Sequence, residues 1–293
     1  MNAPADLTPE ARAALLHALA WQIELGADEC VGEAPSNRFE EAAPAPKAPP
    51  PEPRPGPRPA PVAASRTPAP APPKAAPPSH DGAEAVTEAR ALAAAASDLV
   101  ALKEAMAGFE GCELKQGARK LVFADGNPAA RVMFIGEAPG RDEDREGKPF
   151  VGRSGQLLDR MLAAIGLDRR SEDPSTAAYI ANVLPWRPAG DRDPTTAETL
   201  MLWTFLERHI ELAAPEIIVA LGRSPGAALC DRPIRITRER GRWISPPRVG
   251  GRPLIMTLHP AYLLRQPAEK AKVWRDLLML RAALDGETPV IEE

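Results

Sequence analysis

Four short apolar runs constrain this chain more than any other feature. They are RVMFIG (131–136), AAYIANVL (177–184), EIIVALG (216–222) and PLIMTL (253–258). Helical stretches separate them, near 154–166, 196–213 and 223–230, and a last one covers about 267–284. Strands that alternate with helices imply parallel strands joined by crossover helices. The expected architecture is a three-layer α/β/α fold with a mostly parallel four-stranded central sheet. Residues 234–248, IRITRERGRWISPPR, read as an inserted hairpin, and the Ala-rich stretch at about 83–107 as one helix ending near Gly108.

The rest of the chain is organised differently. Sixteen of its 35 prolines fall within residues 44–78. A Pro/Ala tract over 33–80 buries too little apolar surface to offset its ordering entropy, so it is expected to be an extended linker. Before it, residues 7–25 have the Thr8-Pro9 start and the Leu15, Leu16, Leu19, Ile23 spacing of an amphipathic helix. The expected domains are therefore a helical segment at 1–32, a disordered linker at 33–80 and an α/β domain at 81–293. The N-terminal helix either docks on its own domain or binds a protein partner.

Net charge is −4 over the chain, which alone argues against nucleic acid. Its distribution argues the other way. Residues 230–275 carry 11 basic and 3 acidic side chains, and a local basic region supplies phosphate affinity even on an acidic chain. The three cysteines, Cys30, Cys112 and Cys230, form no CxxC pair, which argues against a zinc site or disulfide framework. The N-terminus lacks an apolar signal core and no run reaches spanning length; a cytoplasmic monomer is expected.

In open α/β sheets ligands bind beyond the carboxyl ends of the strands. Each predicted strand runs into an unusual segment there: GEAPGRDEDREGKPFVG, NVLPWRP, LGRSPG and LHPAYLLR. The first holds four glycines and two prolines in 17 residues, yet fits neither GxGxxG nor a P-loop. Gly140 leaves room for a close approach. Phe150 is either a hydrophobic anchor or a base-stacking platform. Arg153 and Ser154 open a helix whose first amides suit a phosphate. Asn182 is a turn former or, through its donor and acceptor, a partner for the imide edge of uracil. His259 is structural or ligand-facing. Tyr262 and Leu263 pack under the last helix or wedge between bases.

These segments resemble the uracil-DNA glycosylase superfamily, and within it the iron–sulfur type. GEAPGRDEDREGKPFVGRSGQLLDRML, YIANVLPWRP and LHPAYLLR follow that type's motifs in order, and the resemblance spans about residues 98–284. It implies an enzyme that hydrolyses the N-glycosidic bond of a flipped-out uracil in single- or double-stranded DNA and so initiates base-excision repair. It implies that Glu137 and Ala138 lie beside the flipped nucleotide and that Gly140 and Glu143 border uracil C5. Phe150 would stack on the base, Asn182 pair with its edge and His259 hydrogen-bond O2. Arg153, Ser154 and Arg265 would meet DNA, with Leu263 as the wedge. Where the best-studied branch has a water-activating Asp, this chain has Ala138. The resembled type also holds a [4Fe–4S] cluster through four cysteines. Here only Cys112 stands at such a position; Phe109, Trp186 and Leu202 occupy the others. One thiolate cannot hold a four-thiolate cluster, so no cofactor is expected, with a hydrophobic plug in its place. Three other readings stay open at this level: a uracil-DNA binder without turnover, a glycosylase for deaminated purines, and a non-catalytic nucleic-acid module.

Overall fold

A computed structural model describes residues 82–192 and 194–292. The expected helix at 7–25 and the Pro/Ala linker lie outside the described residues. Six strands form one sheet: β1 (Ala124–Gly126), β2 (Val132–Gly136), β3 (Tyr179–Asn182), β4 (Ile217–Leu221), β5 (Trp243–Ile244) and β6 (Leu254–Thr257). Their spatial order is β1-β3-β2-β4-β6-β5. The four inner strands are the four expected from the sequence, and they are mutually parallel. The short edge strands β1 and β5 are additions, and both pair antiparallel.

Every residue of β2, β3, β4 and β6 is buried. A parallel strand covered on both faces needs apolar residues at consecutive positions, which explains the unbroken runs. Alternate side chains feed two cores. Met133 and Ile135 join one with Leu206, Ala228 and Leu229; Val132 and Phe134 join the other with Leu157, Leu158, Val273 and Leu277. The first core lies under α1 (Gly82–Ala95), α2 (Leu99–Gly108), α6 (Thr196–Ala213) and α7 (Arg223–Cys230). The second lies under α5 (Arg153–Ala164), α9 (Pro260–Arg265) and α10 (Lys270–Leu284). Three short helices, α3 (Glu113–Gly117), α4 (Arg141–Glu146) and α8 (Ile236–Glu239), lie in the connections.

Two local expectations are corrected. The single helix over 83–107 is two helices, because Asp98 caps the second: its carboxylate accepts from the Val100 and Ala101 amides, both at 2.9 Å. An N-cap residue leaves the helical backbone region, so it ends one helix where it begins the next. The hairpin over 234–248 is not formed. Helix α8 occupies its first half, and β5 pairs with β6 rather than with a strand of its own. Pro246 and Pro247 lack the amide protons that a continuing ladder needs.

Arg208 of α6 donates to the Ala96 carbonyl at 3.2 and 2.9 Å, fastening the turn between α1 and α2. Ala85, Ala89 and Ala93 form the buried stripe of α1, one residue per turn. Among the described residues no helix is long and apolar enough to cross a membrane.

Candidate active site

Because the inner strands are parallel, their carboxyl ends share one edge. In the order β3, β2, β4, β6 these ends deliver Asn182, Gly136, Gly222 and, two residues past Thr257, His259. Gly136 and Asn182 are direct partners in the β2–β3 register. The pairing continues past the strands, where Val183 and Leu184 donate to the Gly136 and Glu137 carbonyls at 2.9 Å each. Glu137 and Ala138 follow, both half-buried.

Asn182 is buried, and its Oδ1 has no hydrogen-bond partner. An orphaned acceptor inside a protein costs free energy, on the order of 1–3 kcal/mol, and this atom has an acceptor position available to a donor. The ring of Phe150 converges on the same spot. A Cβ added at Gly136 would lie 2.4 Å from Asn182 Oδ1 and 2.6 Å from the Phe150 ring. Only a glycine at 136 lets an amide oxygen and an aromatic ring pack this closely together against the end of β2.

Phe150 is held there from several directions. Its φ is +52°, a region that residues other than glycine seldom adopt. Glu143 Oε1 accepts from the Val151 and Gly152 amides at 3.0 and 2.9 Å, and Oε2 accepts from Gly140 at 3.1 Å. Arg169 donates to the Pro149 carbonyl at 3.0 Å and pairs with Asp125 and Asp159. At Gly155 a Cβ would come within 1.8 Å of the Phe150 carbonyl oxygen, so only glycine lets the loop lie on α5. Glu143 is therefore the staple of this loop. The room expected at Gly140 is filled by the same carboxylate, which stands 2.7 Å from a Cβ built there.

His259 lies against Phe150, with ring centroids 5.6 Å apart. Its Nδ1 accepts from the Ala261 amide at 3.1 Å. An accepting Nδ1 carries no proton, so the neutral ring keeps its N–H at Nε2. Burial, helped by the Arg265 charge and weakly opposed by Glu143, lowers its pKa from 6.5 to about 4. His259 is accordingly a neutral donor near neutral pH. The edge below it is braced where Thr257 donates to buried Asp276 at 2.6 Å.

A pH prediction follows from the two histidines whose pKa values are depressed. Burial lowers His209 as well, to about 3; it bonds Tyr179 Oη at 2.8 Å and stacks on Phe123. Both pKa values are depressed, so the unfolded chain binds protons first as the pH falls. Stability should be intact above about pH 6.5 and decline below it, through about pH 4 for His259 and about pH 3 for His209. Denaturant midpoints at pH 7.5 and pH 5 test this; equal midpoints would count against depressed histidine pKa values.

The remaining expected residues separate into two groups. Arg153, at the start of α5, and Arg265, at the end of α9, are exposed, and Ser154 is partly exposed beside Arg153. Leu263 is a correction. It is 1% exposed and packs in the core under α5 and α10, so it cannot serve as a wedge from that position. Its neighbours Tyr262 and Leu264 reach the surface instead. Much of the basic segment is also used internally: Arg232 pairs with Glu239, Arg240 with Asp276, Arg242 with Glu292 and Arg248 with Asp231. Arg223 is a further candidate that no sequence motif marks. It is exposed, has no hydrogen bond or ion pair to a described residue, and opens α7 at the carboxyl end of β4. With Arg153 and Arg265 it places a cation after each of β2, β4 and β6.

Phe109, Cys112, Trp186 and Leu202 are all 2% exposed or less and belong to one apolar core. Phe109 meets Phe205 with centroids 5.5 Å apart. Burial raises the Cys112 thiol to about 11. A lone protonated thiol among hydrocarbon side chains does not fit a cluster that needs four thiolates. Among the described residues no group of three or more His, Cys, Asp or Glu is placed to hold a metal ion.

Comparison with known proteins adds three findings. The model of the uracil DNA glycosylase superfamily matches residues 123–278. The Type-4 uracil-DNA glycosylase of Thermotoga maritima is 39% identical over 162 residues, which is 55% of this chain and 80% of that protein. The Type-4 uracil-DNA glycosylase of Archaeoglobus fulgidus is 40% identical over 161 residues, 53% of this chain and 78% of that protein. A DNA polymerase of Bacillus phage SP01 is 28% identical over 176 residues, covering 60% of this chain but 18% of that protein.

Proposed function

The chain belongs to the uracil-DNA glycosylase superfamily, and we propose that it hydrolyses the N-glycosidic bond of a uracil flipped out of DNA, the first step of base-excision repair. One observation carries this reading above the others. The buried, unpartnered Asn182 Oδ1 and the Phe150 ring meet against Gly136, with the His259 ring beside Phe150.

Uracil carries the groups that these side chains would satisfy. Its N3–H supplies the donor that Asn182 Oδ1 lacks, and its O4 accepts from the same amide. Phe150 covers one face of the ring. Extrusion of the nucleotide costs on the order of a few kcal/mol in unstacking, and phosphates held by Arg153, Arg223 and Arg265 offset it. When the C1′–N1 bond breaks, its electron pair goes to the base and the charge spreads to O2. The His259 Nε2–H then donates to O2, where charge develops in the transition state. A water molecule adds to the oxocarbenium-like sugar. Ala138 offers no carboxylate for that water, and we assign the role to Glu137, next to it at the end of β2. The Glu143 carboxylate beside Gly140 fills the space that would have favoured a larger base.

Catalysis on this account draws on no cluster. Phe109, Trp186 and Leu202 hold the first core together by packing where the resembled type has thiolates. Two measurements test the proposal together. Release from strands carrying uracil, hypoxanthine or xanthine should occur with uracil alone, and protein purified without oxygen should contain no stoichiometric iron. Release of a purine and not uracil would overturn the specificity. A stoichiometric iron content would overturn the packed replacement.

A further inference from the structure

We propose that the cavity between α6 and α7 is a subsite for the nucleotide adjoining the flipped uridine on an unpaired strand. This rests on the uracil reading above. The cavity is about 550 Å³, and Glu137 bounds it on the side of the candidate active site. That volume is within the range of roughly 300–1,000 Å³ usual for small-molecule sites.

Its walls suit a base and a phosphate. Leu200 of α6 lines it and is 48% exposed, an apolar side chain left open to solvent. One turn further on is buried Trp203, with the Arg248 guanidinium over its ring at 4.1 Å. Arg248 is itself fixed, by Asp231 at 2.6 Å and the Ala228 carbonyl at 3.1 Å. A guanidinium held over an indole by two further hydrogen bonds is of the kind on which nucleobases stack. Arg223 lines the same cavity and has a free fork for a phosphodiester.

Position decides between a nucleic-acid strand and another acidic partner. The cavity adjoins the candidate site directly, since Glu137 follows Gly136 and Arg223 follows the end of the neighbouring strand β4. A nucleotide seated over Gly136 must continue as a strand in both directions, and this cavity receives one of them. A paired neighbour stays in the duplex stack. An unpaired one is free to turn its base toward Leu200 and Arg248.

The test is single-turnover uracil release from single-stranded oligonucleotides. Uracil is flanked by ordinary nucleotides, or by a tetrahydrofuran abasic residue on its 5′ or its 3′ side. For the unaltered protein, loss of the base on one side should slow release by about tenfold, in line with the usual value of a base stack, and loss on the other side should not. Leu200→Glu, at an exposed position, should slow the ordinary strand by a similar factor and remove the sensitivity to that neighbour. Arg223→Gln should flatten the salt dependence by about one phosphate contact. Release that ignores both neighbours, or a Leu200→Glu protein with unchanged rate and neighbour sensitivity, overturns the subsite while leaving the uracil reading intact. No release from any of the strands removes the uracil reading, and the subsite with it.

Discussion

Uracil release by a His259→Ala protein is expected to fall by about 10²–10³-fold, the usual loss when one preorganised donor to a developing anion is removed. The donor is identified by its partner on the other nitrogen. The Ala261 amide occupies Nδ1, so the proton must be at Nε2, facing away from the helix that His259 caps. The depressed pKa keeps the ring neutral down to about pH 4, so release should not change with His259 protonation between pH 5 and pH 8. His259→Gln keeps a donor of similar reach and should recover part of the rate. Affinity for a uracil-containing strand should change far less than the rate, since O2 bears little charge before the bond breaks. Losing the helix cap costs about 1 kcal/mol of stability, which a melting curve separates from the catalytic loss. A less than tenfold loss of rate would mean that the anion is stabilised elsewhere.

How far this site could be read from the sequence depends on what each residue's role requires. The convergence of Asn182 and His259 can be read from the sequence because strand ends in a parallel sheet share one edge whatever their side chains are, whereas the approach of Phe150 depends on the fold of the loop after α4. The four inner strands were legible for a related reason: burial on both faces leaves an apolar run that needs no partner to be recognised. The edge strands were not. β1 and β5 have three and two residues, and their pairing is a property of β3 and β6 rather than of their own composition. The inward turn of Leu263 is not legible because Tyr262, Leu263 and Leu264 are consecutive, and which of them turns inward depends on how the six-residue α9 lies on α5. The basic segment misled in the same way. A count of arginines does not reveal that Asp276, in a helix more than thirty residues on, neutralises Arg240. Arg223, inside LGRSPG, carries no sequence signal of its own. Its value comes from what the fold leaves unpaired around it.

The second large effect belongs to a residue with no side chain. Gly136→Ala should reduce uracil release by about 10²-fold or more, because a misplacement of about 1 Å at a reacting centre has that consequence. The added methyl has nowhere to go. It would meet Asn182 Oδ1 at 2.4 Å and two Phe150 ring atoms at 2.6 and 2.7 Å. Asn182 is fixed by the β2–β3 register, and the Phe150 backbone by Glu143, Arg169 and the contact at Gly155. Either the ring swings out and the base loses its platform, or the Asn182 amide shifts and the base loses its hydrogen-bond partner. Both outcomes act on the ligand more than on the fold. Overpacking of this kind costs about 1–3 kcal/mol, or roughly 2–12 °C in melting temperature for a domain of this size. Gly155→Ala is the control with the opposite balance. Its methyl would strike backbone, 1.8 Å from the Phe150 carbonyl oxygen, so stability should suffer at least as much as activity. A Gly136→Ala protein that melts normally and still releases uracil at the full rate would place the base somewhere other than between Asn182 and Phe150.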